Sequence, residues 1–549
     1  MTDRSGADRT PSERVDVCIV GAGVAGAIVG SELASRGYDV VFLEGGERFD
    51  PADRLEQMER AIRPEHGAAE VWNMGGPRDR YTTSGPMDGY SLNERRVKGV
   101  GGTTLHWLGS TPRLHEKDFE MRTRYGLAVD WPIGYDDLRP YYAAAESELG
   151  VAGSDSDSTP PREEPYPLEP FPPTHSDRLF ERACDRLEIS MRRCPQARNS
   201  SPYDDRSECQ GYGTCSPVCP SGAKYSGDVH VRKAEEEGAR VIDRVTVEKL
   251  EHDDAGSEVE AARYVTPDGT RHRQEARQFV LACGGVETPR LLLLSASSDH
   301  PDGLANSSGA VGRYFMEHPG TRVSGRLDRE TNPEPIGFLT STSEHFYDHD
   351  DAPPGSILLK FSNSGPASPV EAALTGAGSP GADDVWESVA GAKWGDAMLD
   401  GMDGSNRTVW VSANVEMLPR ADNRVSLDRN RTDAFGNPVP HVSFGLGEYG
   451  IRTAERAIDV GERILEEVGA TVAGRTDLEN PIFLSHHMGT TRMGTDPDES
   501  VVDPRLRTHD VDNCWIVSSS VFPTCGAANP TLTIAALALR AGEHIDESL

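Results

Sequence analysis

Long apolar runs are missing from this chain. No stretch approaches the roughly 20 apolar residues that a membrane-crossing helix requires, so no spanning segment is expected. The opening residues, MTDRSGADRTPSERVDV, hold no apolar core of a secretory signal. The expected location is cytoplasmic, or peripheral to a membrane, or exported through a signal-bearing partner. Positive charge is short as well. Lys and Arg total 56 against 89 Asp and Glu, a net charge of −33, and most of the basic residues are Arg. Such a balance excludes nucleic acid as the expected partner. The carboxylates run along the whole length rather than in one tail, which suits a surface adapted to high salt, where self-repulsion is screened. Cysteine is sparse: nine in 549 residues, too few and too scattered for a disulfide framework.

What is present begins at the N-terminus. Residues 1–14 are polar and expected to lack order. Val15 to Val20 reads as a buried parallel strand. It runs into Gly21-Ala22-Gly23-Val24-Ala25-Gly26, then an Ala-rich helical pattern to Arg36 with Gly37 as its stop. A second strand, Asp39 to Leu43, ends in Glu44. The glycines allow a tight turn and the approach of a pyrophosphate to a helix N-terminus, and the acid reaches a ribose hydroxyl. Strand, glycines, helix, strand and acid together form a dinucleotide site, for NAD or FAD. Gly45-Gly46 leaves room for the adenine. A chain of this length exceeds a single core, and two interlocked domains are expected.

Near the other end, Leu484 to Ile534 carries two polar side chains, His486 and Asn529, each among small residues. An imidazole and an amide held together can take the proton of an alcohol and fix its oxygen, the task that accompanies hydride removal from a C–OH group. His487 is the local rival of His486, with packing as its ordinary role. Between the two ends lie further segments. Arg95 to Trp107 holds a glycine pair, Thr103-Thr104 and His106-Trp107, suited to backbone and hydroxyl contacts with a flavin or its phosphates. Cys209, Cys215 and Cys219 fall in one loop ending near Lys224, with glycines between them and Pro220 after the last. Three thiolates so spaced can wrap an iron–sulfur cluster; the other reading is a Cys-rich loop without one. Residues 50–90 read as a surface excursion or a lid. Residues 151–175 read as an exposed loop. Residues 320–474 alternate as an antiparallel sheet does, with a Gly/Ala/Ser/Pro-rich insert at about 363–382.

The fingerprint, the GGTTLHW segment, the later TPRLLLLS, and the HHMGTTRMG and NPTLTI segments stand in the order of one family. The chain resembles the glucose-methanol-choline (GMC) family of FAD-dependent oxidoreductases over nearly its whole length. The resemblance implies an α/β fold, α+β overall: a Rossmann-like FAD-binding domain interleaved with an antiparallel-sheet substrate domain. It divides the chain into FAD-binding parts at 15–160, 209–320 and 475–549, the cysteine loop 209–224 lying in the second, and substrate-domain parts at 161–208 and 321–474. It implies FAD held by Gly21, Gly23, Val24, Ala25, Gly26, Glu44, Gly45 and Gly46. Further contacts come from Gly101, Gly102, Thr103, His106 and Trp107, from Val245, Cys283 and Gly284, and from Ser519, Ser520, Asn529, Pro530 and Thr531.

In some members, among them pyranose oxidase and certain sugar dehydrogenases, a His at the position of His106 is bonded to the flavin. The cysteine loop is similar to that of the catalytic subunits of bacterial FAD-dependent glucose, gluconate and fructose dehydrogenases. That implies a 3Fe-4S cluster on Cys209, Cys215 and Cys219 and electron transfer to a small subunit or cytochrome. His486 matches the family's catalytic base and Asn529 its second active-site position, acting on the CH–OH of a sugar, polyol or other alcohol. Ser518 stands where many members have Asp, a departure from the pattern. The rival readings are an alcohol oxidase without a cluster, a hydroxynitrile lyase and a non-catalytic flavoprotein.

Overall fold

The structure, a computed structural model, describes residues 8–62, 68–156, 160–331, 339–348, 355–362, 399 and 405–549. Its first layer is a parallel sheet centred on β1 (Val15–Val20). β2 (Val40–Leu43) lies on one side and β8 (Arg271–Leu281) on the other, with Val17 opposite Val40 and Gln278. β5 (Arg240–Ile242) extends the sheet beyond β2, and β17 (Cys514–Ile516) pairs in parallel with the last residues of β8. The first half of β8 turns antiparallel into β7 (Val259–Val265) and β6 (Thr246–His252). The runs VDVCIV and VVFL are buried throughout apart from Asp16, as strands covered on both faces must be. Helix α1 (Val24–Ser35) packs against this sheet and against α4 (Asp228–Glu236) and α7 (Thr531–Asp546). Helix α2 (Tyr135–Leu149) lies on α7.

The second layer is antiparallel, in the order β15 (Thr471–Arg475), β9 (Pro319–Arg326), β12 (Thr408–Val415), β11 (Ile357–Ser362), β10 (Ser341–Ser343), β4 (Arg192–Arg193). β16 (Ile482–Phe483) pairs with the start of β9. Along β12 the side chains alternate between two environments. Val409, Val411, Ala413 and Val415 join one apolar cluster with Ile357, Leu359 and Phe361 of β11. Helix α6 (Gly447–Val468) covers that face with Ala454, Ala457, Ile458, Ile464 and Leu465, spaced to share one side of a helix. Helix α3 (His175–Arg186) adds Leu179 and Phe180. The other face of the strands carries Arg322, Lys360, Trp410, Ser412 and Asn414. A third, small sheet joins β13 (Arg424–Thr432), β14 (Pro438–Ser443) and β3 (Thr82–Ser84) beside α5 (Gly284–Leu294). The mixed α/β class with a Rossmann-like layer and an antiparallel layer is the expected one.

Three expectations change. The N-terminal stretch is anchored from residue 8 onward: Arg9 donates to Asp243, Tyr264 donates to the Arg9 carbonyl, and the Ser12 amide donates to Gln274. Residues 151–175 are not simply exposed. Arg162 reaches the buried Glu146, which also takes two hydrogen bonds from Arg113, and Leu168 and Phe171 pack with Ala152. Polar composition hid these long-range partners. Within 50–90, β3 joins a sheet and Tyr90 enters the core. The insert at 363–382 lies outside the described residues. Among those described, no helix is long and apolar enough to cross a membrane.

Candidate active site

A cavity of about 610 Å³ touches both layers. The β1–α1 turn forms part of its wall through Gly21, Gly23, Val24 and Ala25, followed by Glu44 and Gly45 after β2. Gly21 has φ +101°, and a Cβ there would sit 2.7 Å from the Ala282 carbonyl oxygen. Gly102, at φ +57°, brings the second glycine segment against Gly23, where a Cβ would lie 2.8 Å from the Gly23 Cα. The two glycine turns therefore close on one another only because neither residue has a side chain. Beyond them the wall continues through Thr103, His106 and Trp107, then Val245, Cys283 and Gly284, and ends at Ser519, Asn529, Pro530 and Thr531 with His486 opposite.

Four residues expected at the cofactor lie outside this wall. Gly26 faces inward, where a Cβ would overlap the Gly21 carbonyl; its role is close helix–strand packing. Gly46 abuts the Lys98 backbone, and the Gly101 amide donates to the Ala22 carbonyl. Ser520 is buried, its hydroxyl bonded to those of Thr491 and Ser518. Ser518 itself lines the cavity.

The sense of the hydrogen bonds around His486 follows from both sides. His318 Nε2 faces the carbonyl oxygens of Gly526 at 3.0 Å and Cys525 at 3.3 Å, and these can only accept. His318 Nε2 therefore carries the hydrogen. Burial pushes the pKa of His318 down to about 4, so the ring is neutral and its Nδ1 is bare. That Nδ1 lies 2.8 Å from His486 Nδ1, which must donate. Burial, with His318, Lys360 and His487 adding to it, holds the pKa of His486 well below its usual value. His486 is then neutral, with its lone pair on Nε2.

The other side agrees. Lys360 Nζ can only donate, and it donates to Asn414 Oδ1 at 2.6 Å. The Asn414 amide nitrogen must then face Asn529 Oδ1, at 3.1 Å, while also donating to the Ala527 carbonyl. Asn529 turns its Nδ2 toward His486 Nε2, 3.1 Å away, which accepts. An unprotonated imidazole nitrogen and an amide N–H thus meet at the cavity wall.

The loops that carry them are held from beneath. Ser485, just before His486, has φ +68°, a left-handed conformation that a residue with a side chain adopts at a cost. The buried Glu317 carboxylate accepts from the backbone amides of His486 and His318 and from Tyr90, whose hydroxyl also meets His487 Nε2 at 2.8 Å. His487 packs against Phe315 and Tyr90. On the Asn529 side, the Tyr347 hydroxyl donates to Asp118 and accepts from the amides of Ala527 and Ala528. His318, read from sequence as structural, is the direct partner of His486. Asn414, Lys360 and Tyr90 were not foreseen. The alternation of β11 and β12 places Asn414 and Lys360 on the polar face, but sequence does not tell what that face meets.

His106 lies in the wall, its pKa brought down to about 4 by burial and by the Lys224 cation. Buried Lys224 donates to the carbonyls of Leu105, Trp107 and Cys215, tying the cysteine loop to the His106 segment. Cys209 Sγ takes a hydrogen bond from Arg198, Cys219 Sγ meets Ser221 Oγ, and Cys215 is buried. Among the described residues no group of three or more His, Cys, Asp or Glu is arranged to hold a metal ion. The three cysteines are not among such groups, and spacing along a loop does not fix where the sulfurs point.

Comparison with known proteins bears on this arrangement. Residues 15–320 and 419–538 match the N-terminal and C-terminal profiles described as GMC oxidoreductase. The chain is 35% identical over 558 residues to the fructose dehydrogenase large subunit of Gluconobacter japonicus, covering 96% of this chain and 97% of that one. It is 32% identical to the 2-methyl-1,2-propanediol dehydrogenase of Mycolicibacterium austroafricanum, over 98% of this chain and 96% of the other. Among solved structures, pyridoxine 4-oxidase from Mesorbium loti superposes with a TM-score of 0.66 at 17% identity, covering 97% of this chain and 99% of that one, a likeness of fold.

Proposed function

The chain belongs to the GMC oxidoreductase family, and from that premise we propose that it is an FAD-dependent dehydrogenase oxidising the CH–OH group of a sugar, polyol or other alcohol. The observation that carries this reading is the bare Nε2 of His486 beside the Asn529 amide, in the wall of a cavity that also includes the β1–α1 glycine turn. The paired glycine turns fit FAD, because they leave the room and the backbone N–H groups that a pyrophosphate needs. Bound FAD supplies the two-electron acceptor for the hydride. A substrate hydroxyl at this point gives its proton to His486 Nε2, and Asn529 Nδ2 donates to the same oxygen. When His486 becomes charged, its Nδ1–H still donates to His318, so no partner has to move. A neighbouring Lys360 cation keeps the imidazolium acidic, which favours return of the proton after turnover.

Relatives named for dehydrogenation of fructose and of a diol support an alcohol-type donor and an acceptor other than oxygen. The name large subunit supports a search for a small subunit or cytochrome partner. His106 is held neutral, the form in which an imidazole can bond to a flavin carbon; the mass of the denatured chain reads that link. Relay through a 3Fe-4S cluster rests on the spacing of three cysteines alone, and no step is assigned to it. Iron and acid-labile sulfide assayed on anaerobically purified protein test it.

The direct experiment is anaerobic addition of sugars and polyols to the holoenzyme. Bleaching of the flavin by at least one of them, with little oxygen uptake in air, is expected. Bleaching with stoichiometric oxygen uptake would make the protein an oxidase. A flavin left unreduced by every alcohol in the panel would end the reading.

A further inference from the structure

The cavity wall holds two cations without anionic partners among the described residues. Arg322 on β9 stands opposite Ser412 on β12, and Ser412 stands opposite Lys360 on β11. The three form one row across hydrogen-bonded strands, all facing the cavity that His486 and Asn529 also line. Lys360 is only 8% exposed, and its one hydrogen-bond partner among the described residues is Asn414. The Arg322 guanidinium carbon lies over the Trp410 ring, 4.2 Å from its centroid, and its buried Nε has no hydrogen-bond partner among the described residues. Neither forms an ion pair with a described residue. Burial alone lowers the pKa of Arg322 to about 10, and no carboxylate offsets it. Burial lowers Lys360 to about 8, opposed only by Cys194.

In a chain with 89 acidic residues, several other buried cations have met a carboxylate. Arg113 is paired with Glu146, Lys117 with Glu416, Arg290 with Asp433. Desolvating a cation is costly unless a counter-charge meets it, and perturbed ionisable groups gather where a ligand completes them. A guanidinium stacked on an indole keeps its edge N–H groups free for the two oxygens of an anion. The reacting hydroxyl belongs at His486 and Asn529, joined to Lys360 through Asn414, so the same small molecule can reach both.

We propose that the substrate carries an anionic group, a carboxylate or a phosphate, seated between Arg322 and Lys360 while its hydroxyl faces His486 and Asn529. Such a substrate is a polyhydroxy acid or a polyol phosphate rather than a neutral sugar. The assignment rests on the alcohol-oxidising reading and narrows it.

Two readouts separate the two ideas. Isothermal titration calorimetry of the anaerobic holoenzyme against sorbitol, gluconate and sorbitol 6-phosphate reads binding. Flavin bleaching by the same three reads oxidation. At least one of the anions is expected to bind tenfold or more tighter than sorbitol, and the tighter of the two names the group. In Arg322→Gln that ratio falls toward one, while Arg322→Lys keeps most of it. Sorbitol binding as tightly as both anions, or an anion preference unmoved in Arg322→Gln, overturns the proposal. Bleaching by sorbitol without anion preference removes the seat and keeps the dehydrogenase. Anion preference without bleaching by any alcohol keeps the seat and removes the dehydrogenase.

Discussion

The Nδ1 atoms of His318 and His486 face each other across 2.8 Å, and only one of them can carry a hydrogen. Because the Gly526 carbonyl claims the hydrogen of His318 at Nε2, the hydrogen between the rings belongs to His486. His486 is thereby held in the one tautomer that can accept a proton from the cavity. His318→Leu removes this selection and leaves two carbonyls unmet, at about 1–3 kcal/mol of stability. Flavin reduction is expected to slow by about 10²-fold, a fraction of a general base's usual worth, with flavin content unchanged. Stopped-flow bleaching with the absorbance ratio of the purified protein checks both; an unchanged rate would deny His318 its role.

Removing the base itself costs more. His486→Ala is expected to lower the limiting rate of flavin reduction by about 10²–10⁴-fold, the range for a positioned general base. Asn529→Ala removes a donor aimed at the reacting oxygen, with a loss of about 10²–10³-fold. Binding of a non-reacting alcohol should persist in the first variant. Full rates in His486→Ala would move the role to His487, although that ring is packed against Tyr90 and Phe315.

The pH dependence has a definite sign. In the proposed reaction His486 accepts a proton, and burial holds its pKa well below the usual value, so the rate of flavin reduction should stay flat as pH falls through 6.5. Stability behaves differently. His318 is fully buried and stays neutral in the folded protein to about pH 4, against about 6.5 when unfolded. Between these values the unfolded chain binds a proton that the folded one does not. Stability is therefore complete above about 6.5 and is lost as pH falls toward 4, by about 1.4 kcal/mol for each pH unit. Thermal melts from pH 7.5 to 5 should show a falling midpoint, with a shallower slope in His318→Leu.

Gly102→Ala tests the closure of the two glycine turns. The added methyl meets the Gly23 Cα at 2.8 Å from a backbone that L-residues rarely adopt. Backbone strain of this kind is worth about 1–3 kcal/mol, and the turns should part enough to lose most of the bound flavin. Flavin released on denaturation, per mole of folded chain, is the measurement. Wild-type loading would show that the approach is not needed.

Salt gives a test of the charge pattern. Raising ionic strength from 0.1 M to 1 M shortens the screening length from about 10 Å to about 3 Å. With a net charge of −33, the melting midpoint should rise over that range. A flat or falling midpoint would argue against adaptation to high salt.

The parts legible in sequence are the local ones. β1, its glycine turn, α1, β2 and Glu44 follow one another within thirty-odd residues, and each carries its own signal: an apolar run, small residues, a helical period, an acid. His486 and Asn529 were visible because each interrupts a segment of small residues. Their partners were not, because 168 positions separate His318 from His486 and 115 separate Asn414 from Asn529. A strand's alternation shows that Asn414 and Lys360 share a face; only the docking of one layer on another shows that this face meets the base. The cysteine loop is a different case. Its spacing is local, but what a sulfur meets is not: Cys209 Sγ takes a hydrogen bond from Arg198, outside the loop.

The antiparallel sheet divides its residues between two tasks. Val409 and Val411 answer to α6, while Trp410, Ser412 and Asn414, one step along the same strand, answer to the cavity. Inheritance can therefore rewrite one set without disturbing the other. Descendants of such a strand can drift in what they recognise while the base, built on a separate stretch of chain, stays as it is. A laboratory library confined to every second position of β9, β11 and β12 should sample new substrates on an unchanged scaffold. The same library shifted by one residue would sample only broken cores.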